Sequence, residues 1–247
     1  MGALQLYAHT LFELLGFFLG FRYYLYLRRQ QVDVISDQGR LWIIIGATFG
    51  ALIGSRLVGA LEDPQRFFSA ATSWLYYYQS KTIVGGLLGG LWGVELIKKM
   101  IGVKHSSGDL FTFPIILGMI IGRIGCFSMG VFEPTYGLPS SLPWAMDLGD
   151  GVLRHPTALY EIVFLLACWS FLYFLQKKET LVSGAKFRLF MVAYLSYRFM
   201  VEFIRPGEVL GLGMTTLQWT SLVGLVYYWK VWLRPGSLVA RKGMPPI

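Results

Sequence analysis

Long apolar runs alternate with short polar connections along this chain, and the alternation predicts membrane-spanning helices. A helix needs about 20 mostly apolar residues to cross the hydrocarbon core of a bilayer. Seven segments approach this length, and in chain order they are Thr10–Leu27, Leu41–Leu61, Ile83–Lys98, Leu110–Met129, Thr157–Leu175, Phe187–Phe203 and Thr215–Leu233. The third is short and rich in glycine. We therefore expect an all-α fold of about seven transmembrane helices, forming a single integral membrane domain over residues 1–247.

The composition agrees with lipid as the main solvent of this chain. Hydrophobic residues make up 55% of the 247 residues and charged residues 15%, whereas soluble domains carry about 25% charged residues. A net charge of +8 on a soluble protein would suggest nucleic acid, but here the basic residues lie in short runs between apolar segments. Membrane topology explains such runs, so no nucleic-acid partner is expected. No basic region precedes the first apolar run, and a cleavable signal peptide is not expected.

The distribution of Lys and Arg among the connections predicts the orientation, because cytoplasmic connections carry the excess of these residues. Alternate connections and the C-terminal tail contain Arg28, Arg29, Arg40, Lys98, Lys99, Lys104, Lys177, Lys178, Lys186, Arg188, Lys230, Arg234, Arg241 and Lys242. The opposite side holds only Arg66, Lys81, Arg154 and Arg205. The N-terminus is therefore predicted to lie outside and the C-terminus in the cytoplasm.

The connection over residues 130–156 is the longest one on the predicted outer side. It contains Glu133, Asp147, Asp150, Arg154 and His155, interspersed with proline and glycine. Proline and glycine at this density are typical of ordered turns rather than of a flexible linker. Long loops in compact proteins are usually functional, so we expect this extracytoplasmic loop to contribute to the site.

Ionisable residues also occur within the predicted spans, where each costs about 2.5–3.5 kcal/mol on insertion scales. They are Glu13, Arg22, Arg56, Glu95, Arg123, Glu161, Arg198 and Glu202. Snorkelling or mutual neutralisation near the cytoplasmic ends explains Arg22 and Glu95. The same explanation fits Arg123, Arg198 and Glu202 less well, and these three are candidates for function.

One helical stripe collects several polar residues of the sixth span. Tyr194, Arg198, Glu202 and Arg205 are spaced i, i+4, i+8 and i+11, so they share one face that rises to the outer end. Arg123 lies near the outer end of the fourth span, and the three guanidinium groups are expected to meet at one depth. A guanidinium group binds phosphate oxygens through two parallel hydrogen bonds, which makes a phospholipid headgroup a natural ligand. The alternative is a structural Arg–Glu network that ties the helices together.

Small residues recur at every fourth position in three spans, a pattern that lets helix backbones touch. The rows are Gly46, Gly50 and Gly54, then Gly85, Gly89 and Gly93, and finally Gly118 with Gly122. Close packing is the favoured interpretation, although Gly85 and Gly86 also offer room for a ligand. The two cysteines, Cys126 and Cys168, both lie in apolar segments. They predict neither a disulfide framework nor a zinc pattern, so no metal is expected.

Six short segments resemble, in consistent order, the motifs of the bacterial prolipoprotein diacylglyceryl transferases. They are Gly54-Ser55-Arg56-Leu57, Val84-Gly85-Gly86-Leu87, Gly122-Arg123-Ile124-Gly125-Cys126-Phe127, Tyr136-Gly137-Leu138-Pro139 with Leu142-Pro143-Trp144, Arg154-His155-Pro156-Thr157 with Leu159-Tyr160-Glu161, and Arg198 with Glu202-Phe203-Ile204-Arg205. Each segment alone is weak evidence. Six in order, covering roughly residues 46–206 and combined with seven predicted spans, are specific.

The resemblance implies a reaction and its partners. Enzymes of this family move a diacylglyceryl group from phosphatidylglycerol to the lipobox cysteine thiol of a prolipoprotein, and glycerol phosphate leaves. Phosphatidylglycerol and a prolipoprotein signal peptide are thus the expected partners, and a multi-pass position in the cytoplasmic (inner) membrane is the expected location. No cofactor is implied. The chemistry requires stabilisation of the departing phosphate and removal of a proton from the thiol.

The matching positions suggest which residues serve these two demands. Arg123, Arg198 and Arg205 suit the phosphate, and Glu202, Glu161 and His155 are the candidate proton acceptors. A second set is expected to bind the substrate, and it comprises Arg205, Arg154, Tyr160, Gly85, Gly86 and Lys81. Each acceptor has a structural alternative. Glu202 can simply hold an arginine, Glu161 and Tyr160 can anchor the start of the fifth span, and His155 can be a turn residue.

Departures from the family pattern leave other functions open. Val84 stands where the family has a histidine, Cys126 stands where it has an asparagine, and Met129-Gly130-Val131 replaces an Asn-Gly-Glu stretch. Cys126 is a possible nucleophile, but a buried cysteine is more often a small apolar filler. The alternatives are a lipid transferase with another acceptor, a non-catalytic phospholipid-binding protein, and a small-solute transporter or channel. The absence of a half-to-half sequence repeat argues against the last.

Overall fold

The computed structural model describes residues 3–69 and 73–240, and within these ranges the chain is mostly helical, as predicted. The α-helices are α1 Ala3–Arg29, α2 Asp37–Ala60, α3 Pro64–Phe67, α4 Trp74–Gln79, α5 Ile83–Ile101, α6 Asp109–Met129, α7 Thr157–Lys178, α8 Ala185–Val201, α9 Thr216–Tyr227 and α10 Trp229–Leu233. Short 3-10 turns cover Gly130–Phe132, Glu202–Ile204, Gly211–Gly213 and Pro235–Leu238. Two short strands, β1 Met146–Asp147 and β2 Leu153–Arg154, form the remaining regular structure of the described chain.

Three helical segments are long and apolar enough to cross a membrane by length and composition, namely Asp37–Ala60, Asp109–Phe132 and Thr157–Lys178. Three of the other four predicted spans depart from this standard for visible reasons. Helix α5 carries Glu95, Lys98 and Lys99 among its 19 residues, and α8 has 17 residues. The predicted segment Thr215–Leu233 is divided at Tyr228 into α9 and α10. The basic tail residues Arg241 and Lys242 lie outside the described residues.

The outer surface of the helices is strongly apolar, which is the behaviour of a protein surrounded by lipid. Large side chains point away from the protein on several helices, with exposed fractions of 79% for Phe17, 64% for Phe49, 71% for Trp92 and 67% for Phe174. Such continuous apolar exposure is rare on soluble monomers. Together with the three long apolar helices, it supports the prediction of a membrane protein.

Glycine contacts join the helices in pairs, as the small-residue rows predict. Helix α2 lies directly on α5, and a Cβ atom at Gly50 would lie 2.3 Å from the carbonyl oxygen of Gly89. Helix α1 lies on α6, where Gly118 faces the carbonyl of Gly16. Gly122 does not take part in this packing, because among the described residues nothing lies within 4 Å of the Cβ it would carry. Of the predicted Gly118–Gly122 row, Gly118 therefore makes a close helix contact in the described structure and Gly122 does not.

The charges near the predicted span ends are neutralised locally. Lys81 pairs with Glu13 at 3.1 Å, and Glu95 pairs with Lys98 at 3.0 Å. The guanidinium of Arg56 lies 5.4 Å from the ring centre of Tyr78. These groups have structural explanations, whereas Arg123, Glu161, Arg198 and Glu202 are buried between α6, α7 and α8.

The loop over residues 130–156 is an ordered structure that rests on the ends of α7 and α8. Strands β1 and β2 pair antiparallel, and the Asp147 carboxylate accepts three backbone N–H groups in the turn between them. A hydrogen bond of 2.8 Å from Leu138 N to the carbonyl of Ile204 joins the loop to the 3-10 turn that follows α8. Its backbone thus closes over the buried charges.

Candidate active site

A buried ion-pair network joins three helices at the centre of the protein. Glu161 on α7 lies between Arg123 on α6 and Arg198 on α8, with Oε2 at 2.9 Å from Arg123 Nη2 and 3.2 Å from Arg198 Nη1. The hydroxyl of Tyr194 donates a hydrogen bond of 2.8 Å to the other oxygen, Oε1. All four side chains are almost fully buried, and Glu161 is 2% exposed. The carboxylate therefore holds two guanidinium groups together away from water.

The network continues towards the loop through the end of α8. Glu202 Oε2 lies 3.1 Å from Arg198 Nη2 and 3.0 Å from Arg205 Nη1. Arg205 Nη2 also donates to the carbonyl of Pro134 in the loop. Helix α8 ends at Val201 and tightens into a 3-10 turn, so Glu202 stays on the stripe while Arg205 follows in extended backbone. The five charged residues Arg123, Glu161, Arg198, Glu202 and Arg205 are called the arginine–glutamate network below.

The three guanidinium groups retain unused hydrogen-bond donors. The Nε atoms of Arg123, Arg198 and Arg205 are buried, and none has a partner among the described residues. The buried hydroxyl of Tyr197 is likewise unsatisfied. A buried donor without a partner costs about 1–3 kcal/mol, so such groups require an explanation. Three guanidiniums against two carboxylates leave the network with one excess positive charge. This arrangement can accept an anion with several oxygen atoms.

Glu62, which the sequence analysis did not select, faces the same network. It follows the end of α2, where Tyr76 donates 2.6 Å to the carbonyl of Ala60 and Thr216 donates 2.6 Å to that of Leu61. Its half-buried carboxylate receives no hydrogen bond or ion pair within the described ranges. Glu62 lies one residue beyond the second predicted span, Leu41–Leu61, and is therefore absent from the set of charges within the spans. The sequence offered one signal for Glu62, namely that it is an acidic residue directly after a predicted span.

The electrostatic surroundings of Glu62 make it a group that titrates near neutrality. Burial is the largest influence and raises its pKa to about 7 from the ordinary 4.5. Arg205 and Arg198 act in the opposite direction, and the negative charge of Glu202 raises the pKa further. Tyr76 on α4 also faces this carboxylate. A carboxyl group with such a pKa is able to exchange a proton at physiological pH.

The predicted residues of the outer loop form a second, separate group. His155 Nδ1 lies 3.1 Å from the Tyr160 hydroxyl, which accepts a hydrogen bond of 2.8 Å from Trp144 Nε1. Arg154 pairs with Asp150 at 2.6 Å and stacks over the Tyr136 ring at 5.2 Å. The Arg154 guanidinium holds the pKa of Asp150 below its usual value. The side-chain contacts of His155, Tyr160 and Arg154 thus lie within the loop and the start of α7.

The other residues predicted to bind the substrate lie apart from the network, in surface ion pairs or in helix contacts. Lys81 is engaged by Glu13 at the surface. Gly85 is packed so tightly that a Cβ atom would lie 2.4 Å from the carbonyl oxygen of Gly54. Gly86 has more room, since the nearest atom to its Cβ position is 3.7 Å away. Val84 is 1% exposed in the apolar core. Of the predicted residues, the structure brings together Arg123, Glu161, Arg198, Glu202 and Arg205.

One group of metal-ligand side chains lies beside Arg123. Cys126 Sγ is 3.8 Å from His9 Nε2 on α1 and 3.8 Å from Arg123 Nη1. Glu133 completes the group, and the ligand atoms of His9, Cys126 and Glu133 all lie within 4.8 Å of one another. The sequence analysis missed this group because His9 and Cys126 are 117 positions apart, which no local spacing motif reveals.

Comparison with known proteins gives a consistent result over nearly the whole chain. Residues 1–233 match the family described as "Prolipoprotein diacylglyceryl transferase". A phosphatidylglycerol–prolipoprotein diacylglyceryl transferase of Nitratidesulfovibrio vulgaris is 30% identical, over 96% of this chain and 92% of its own length. Proteins of the same name from Bordetella avium and Bordetella parapertussis are 32% and 31% identical, covering 90% and 73% of this chain and 87% and 71% of their own lengths.

Proposed function

Because this chain belongs to the prolipoprotein diacylglyceryl transferase family, we propose that it transfers the diacylglyceryl group of phosphatidylglycerol to the lipobox cysteine thiol of a prolipoprotein. The relatives named above carry this activity in their names, and the chain covers more than two thirds of each. The residues that perform the transfer are assigned from the geometry of the arginine–glutamate network and of Glu62.

The observation that carries the assignment is the set of unused Nε donors on Arg123, Arg198 and Arg205. A phosphodiester of phosphatidylglycerol presents non-bridging oxygens that these donors can bind. Arg–phosphate hydrogen bonds in a site shielded from water are far stronger than on a surface. Glu161 and Glu202 keep the guanidiniums in place by pairing with them. The network thus supports binding of the donor lipid and stabilisation of the phosphate that leaves.

The reaction is a displacement at the glyceryl carbon that bears the phosphate. The thiolate sulfur forms a bond to this carbon while the bond from the carbon to the phosphate oxygen breaks. The electron pair of that bond leaves with the oxygen, so the products are a thioether and glycerol phosphate. Negative charge passes from sulfur to phosphate, and the arginines Arg123, Arg198 and Arg205 are placed to stabilise it.

Glu62 is the proposed acceptor of the thiol proton. Glu161 and Glu202 are each held between two guanidiniums, and His155 is hydrogen bonded to Tyr160. Glu62 has no such partner among the described residues, and its pKa of about 7 suits proton transfer. Contacts with the acceptor peptide or the lipid are proposed for the remaining candidates, which are His155, Arg154, Tyr160, Gly86 and Lys81. Gly85 is a weaker candidate, because it is tightly packed.

The proposal includes a topology and a location. The seven proposed spans follow from the apolar segments. The outer N-terminus and cytoplasmic C-terminus follow from the alternation of Lys and Arg among the connections. This orientation puts the 130–156 loop and the outer end of the network on the extracytoplasmic side of the cytoplasmic (inner) membrane. The signal peptide of a prolipoprotein reaches the site there, and no nucleic acid is a partner.

The proposal is tested with labelled phosphatidylglycerol, a lipobox peptide and the purified full-length chain. Arg123→Ala and Arg198→Ala are expected to abolish lipid transfer while the protein still inserts and elutes as a folded species. Arg22→Ala, which changes an exposed arginine on α1 far from the network in sequence, is the matched control and is expected to retain activity. Full activity in both network variants would contradict the proposal.

A non-catalytic phospholipid-binding protein is the second candidate, and Val84 favours it. This apolar side chain lies in the core at a position where the family carries a histidine. The same assay separates the two functions. Phosphatidylglycerol binding without transfer, combined with failure to restore lipoprotein lipidation in cells depleted of the authentic transferase, would support this second function.

A further inference from the structure

The donor atoms of His9, Cys126 and Glu133 form a cluster that the transfer reaction described above does not use. They come from three separate parts of the fold, namely α1, α6 and the turn that follows α6. All three residues are half-buried. Among the described residues the polar contacts of these side chains are those of Cys126 Sγ with His9 Nε2 and with Arg123 Nη1. Within the described ranges, the Glu133 carboxylate and Nδ1 of His9 have no hydrogen bond or ion pair.

The spacing of the cluster suits a tetrahedral metal ion. Zinc is bound by Cys sulfur at about 2.3 Å and by His nitrogen at about 2.0–2.1 Å, which places the two donors about 3.5 Å apart at a tetrahedral angle. The observed separation of Sγ and Nε2 is 3.8 Å, and all three donors lie within 4.8 Å of one another. Imidazole, thiolate and carboxylate together are a donor set that zinc accepts.

The charges also match a divalent cation. A metal of charge +2 with one thiolate and one carboxylate is neutral, which reduces the cost of holding it in a partly buried place. Arg123 Nη1 lies 3.8 Å from the sulfur, and a bound zinc ion itself deprotonates the thiol that coordinates it. Three protein ligands leave a fourth position open, as in catalytic rather than structural zinc sites.

We propose that His9, Cys126 and Glu133 bind a zinc-class divalent cation whose open position receives the thiolate of the acceptor cysteine. The role of the open position rests on the proposed function, whereas metal binding itself does not. On binding, the acceptor thiol exchanges its S–H bond for a metal–sulfur bond, and its proton is transferred to Glu62, the proton acceptor of the proposed function. Arg123 belongs both to the network and to the surroundings of Cys126, so the bound sulfur lies next to the phosphate site.

Metal binding is tested by stripping the detergent-purified full-length chain with a chelator and titrating it with Co²⁺. One equivalent is expected to give visible bands of tetrahedral cobalt and a near-ultraviolet charge-transfer band from sulfur. Cys126→Ser, His9→Ala and Glu133→Gln are each expected to weaken binding at least about tenfold. Cys168→Ser and His105→Ala, which alter a cysteine and a histidine outside the cluster, are the matched controls and are expected to bind normally.

The acceptor role is tested on the cobalt-loaded chain with a lipobox peptide and with its Cys-to-Ser analogue. The cysteine peptide is expected to intensify the charge-transfer band, and the serine peptide is expected to leave it unchanged. Absence of a cobalt spectrum, or a spectrum equally affected by the control variants, would overturn the metal site while leaving the transferase proposal intact. A cobalt site that ignores the cysteine peptide would overturn the acceptor role alone.

Discussion

The carboxylate of Glu161 lies 2.9 Å from the guanidinium of Arg123 across the contact between α7 and α6. Both side chains are buried, so this pair contributes to helix packing as well as to the proposed phosphate site. Removing one partner of a buried pair leaves the charge of the other partner unpaired in the interior, which lowers stability. The remaining side chain can also move, which changes the geometry of the proposed site. Experiments on the network must therefore separate folding from chemistry.

Glu161→Gln measures the structural part of this relationship. The neutral amide leaves Arg123 and Arg198 without their shared carboxylate, and removal of one partner from a buried pair costs about 3–5 kcal/mol. A matched control is Glu13→Gln, because Glu13 pairs with the exposed Lys81 and such surface pairs contribute about 0–1 kcal/mol. Thermal unfolding in detergent is expected to show a large decrease for the first variant and almost none for the second. Equal decreases would contradict the structural role.

Arg198→Lys separates charge from shape. Lysine keeps the positive charge but lacks the planar fork and the Nε donor that Arg198 presents without a partner. If phosphate is bound by the fork, the transfer rate is expected to fall about 10²-fold or more, the usual effect of losing one preorganised donor. The unfolding temperature is expected to change less than in Arg198→Ala. A lysine variant of nearly normal activity would show that charge alone suffices.

The sequence alone predicts the part of the network on α8 and the turn after it, because the spacing of these residues is local. Tyr194, Arg198, Glu202 and Arg205 repeat with the helical period, and the structure places all four in one buried cluster. Close helix packing was likewise visible in the glycine period, but only the structure shows that α2 pairs with α5. Gly122 shows the limit of such reasoning, since it continues the row in sequence but faces no neighbour in the described structure.

Other residues that are distant in sequence had no pattern that would group them before the structure was available. His9, Cys126 and Glu133 meet only because α1 packs against α6, and nothing in the local spacing of either helix indicates this contact. The role of Glu62 depends on the fold in the same way. Its proximity to Arg205 arises from the packing of the end of α2 against the α8–α9 region, including the contact of Thr216 with Leu61.

Gly50→Ala tests the close contact of α2 and α5. The added methyl group would lie 2.3 Å from the carbonyl oxygen of Gly89, which is backbone and cannot rotate away. Overpacking of this kind typically costs about 1–3 kcal/mol. Gly122→Ala is the control for stability, since its methyl group meets no described atom within 4 Å and alanine favours a helix by about 0.5–1 kcal/mol. Unfolding curves in detergent that show no difference between the variants would contradict the packing.

The raised pKa of Glu62 has a consequence for stability. Its folded pKa of about 7 exceeds the ordinary 4.5, so the fold favours the neutral form. The protein is therefore expected to lose stability as pH rises from 4.5 to about 7, with no further change from this group above that range. Glu62→Gln fixes a neutral side chain and is expected to stabilise the protein more at about pH 8 than at about pH 5. Thermal unfolding at both pH values checks the sign.

The transfer activity is also expected to depend on the ionisation of Glu62. Stability favours the neutral carboxyl group, whereas activity requires the carboxylate, because a proton acceptor works only in its ionised form. The transfer rate should rise with pH through about 7 and then level off, following the pKa of Glu62. Glu62→Gln should lower the rate by about 10²-fold or more and remove this rise. Glu208→Gln, which neutralises an exposed glutamate, should leave both the rate and the pH profile unchanged. An unaltered pH profile in the Glu62 variant would show that another group accepts the proton. A purely structural effect of the glutamine would lower the rate equally at all pH values and would leave the shape of the profile unchanged.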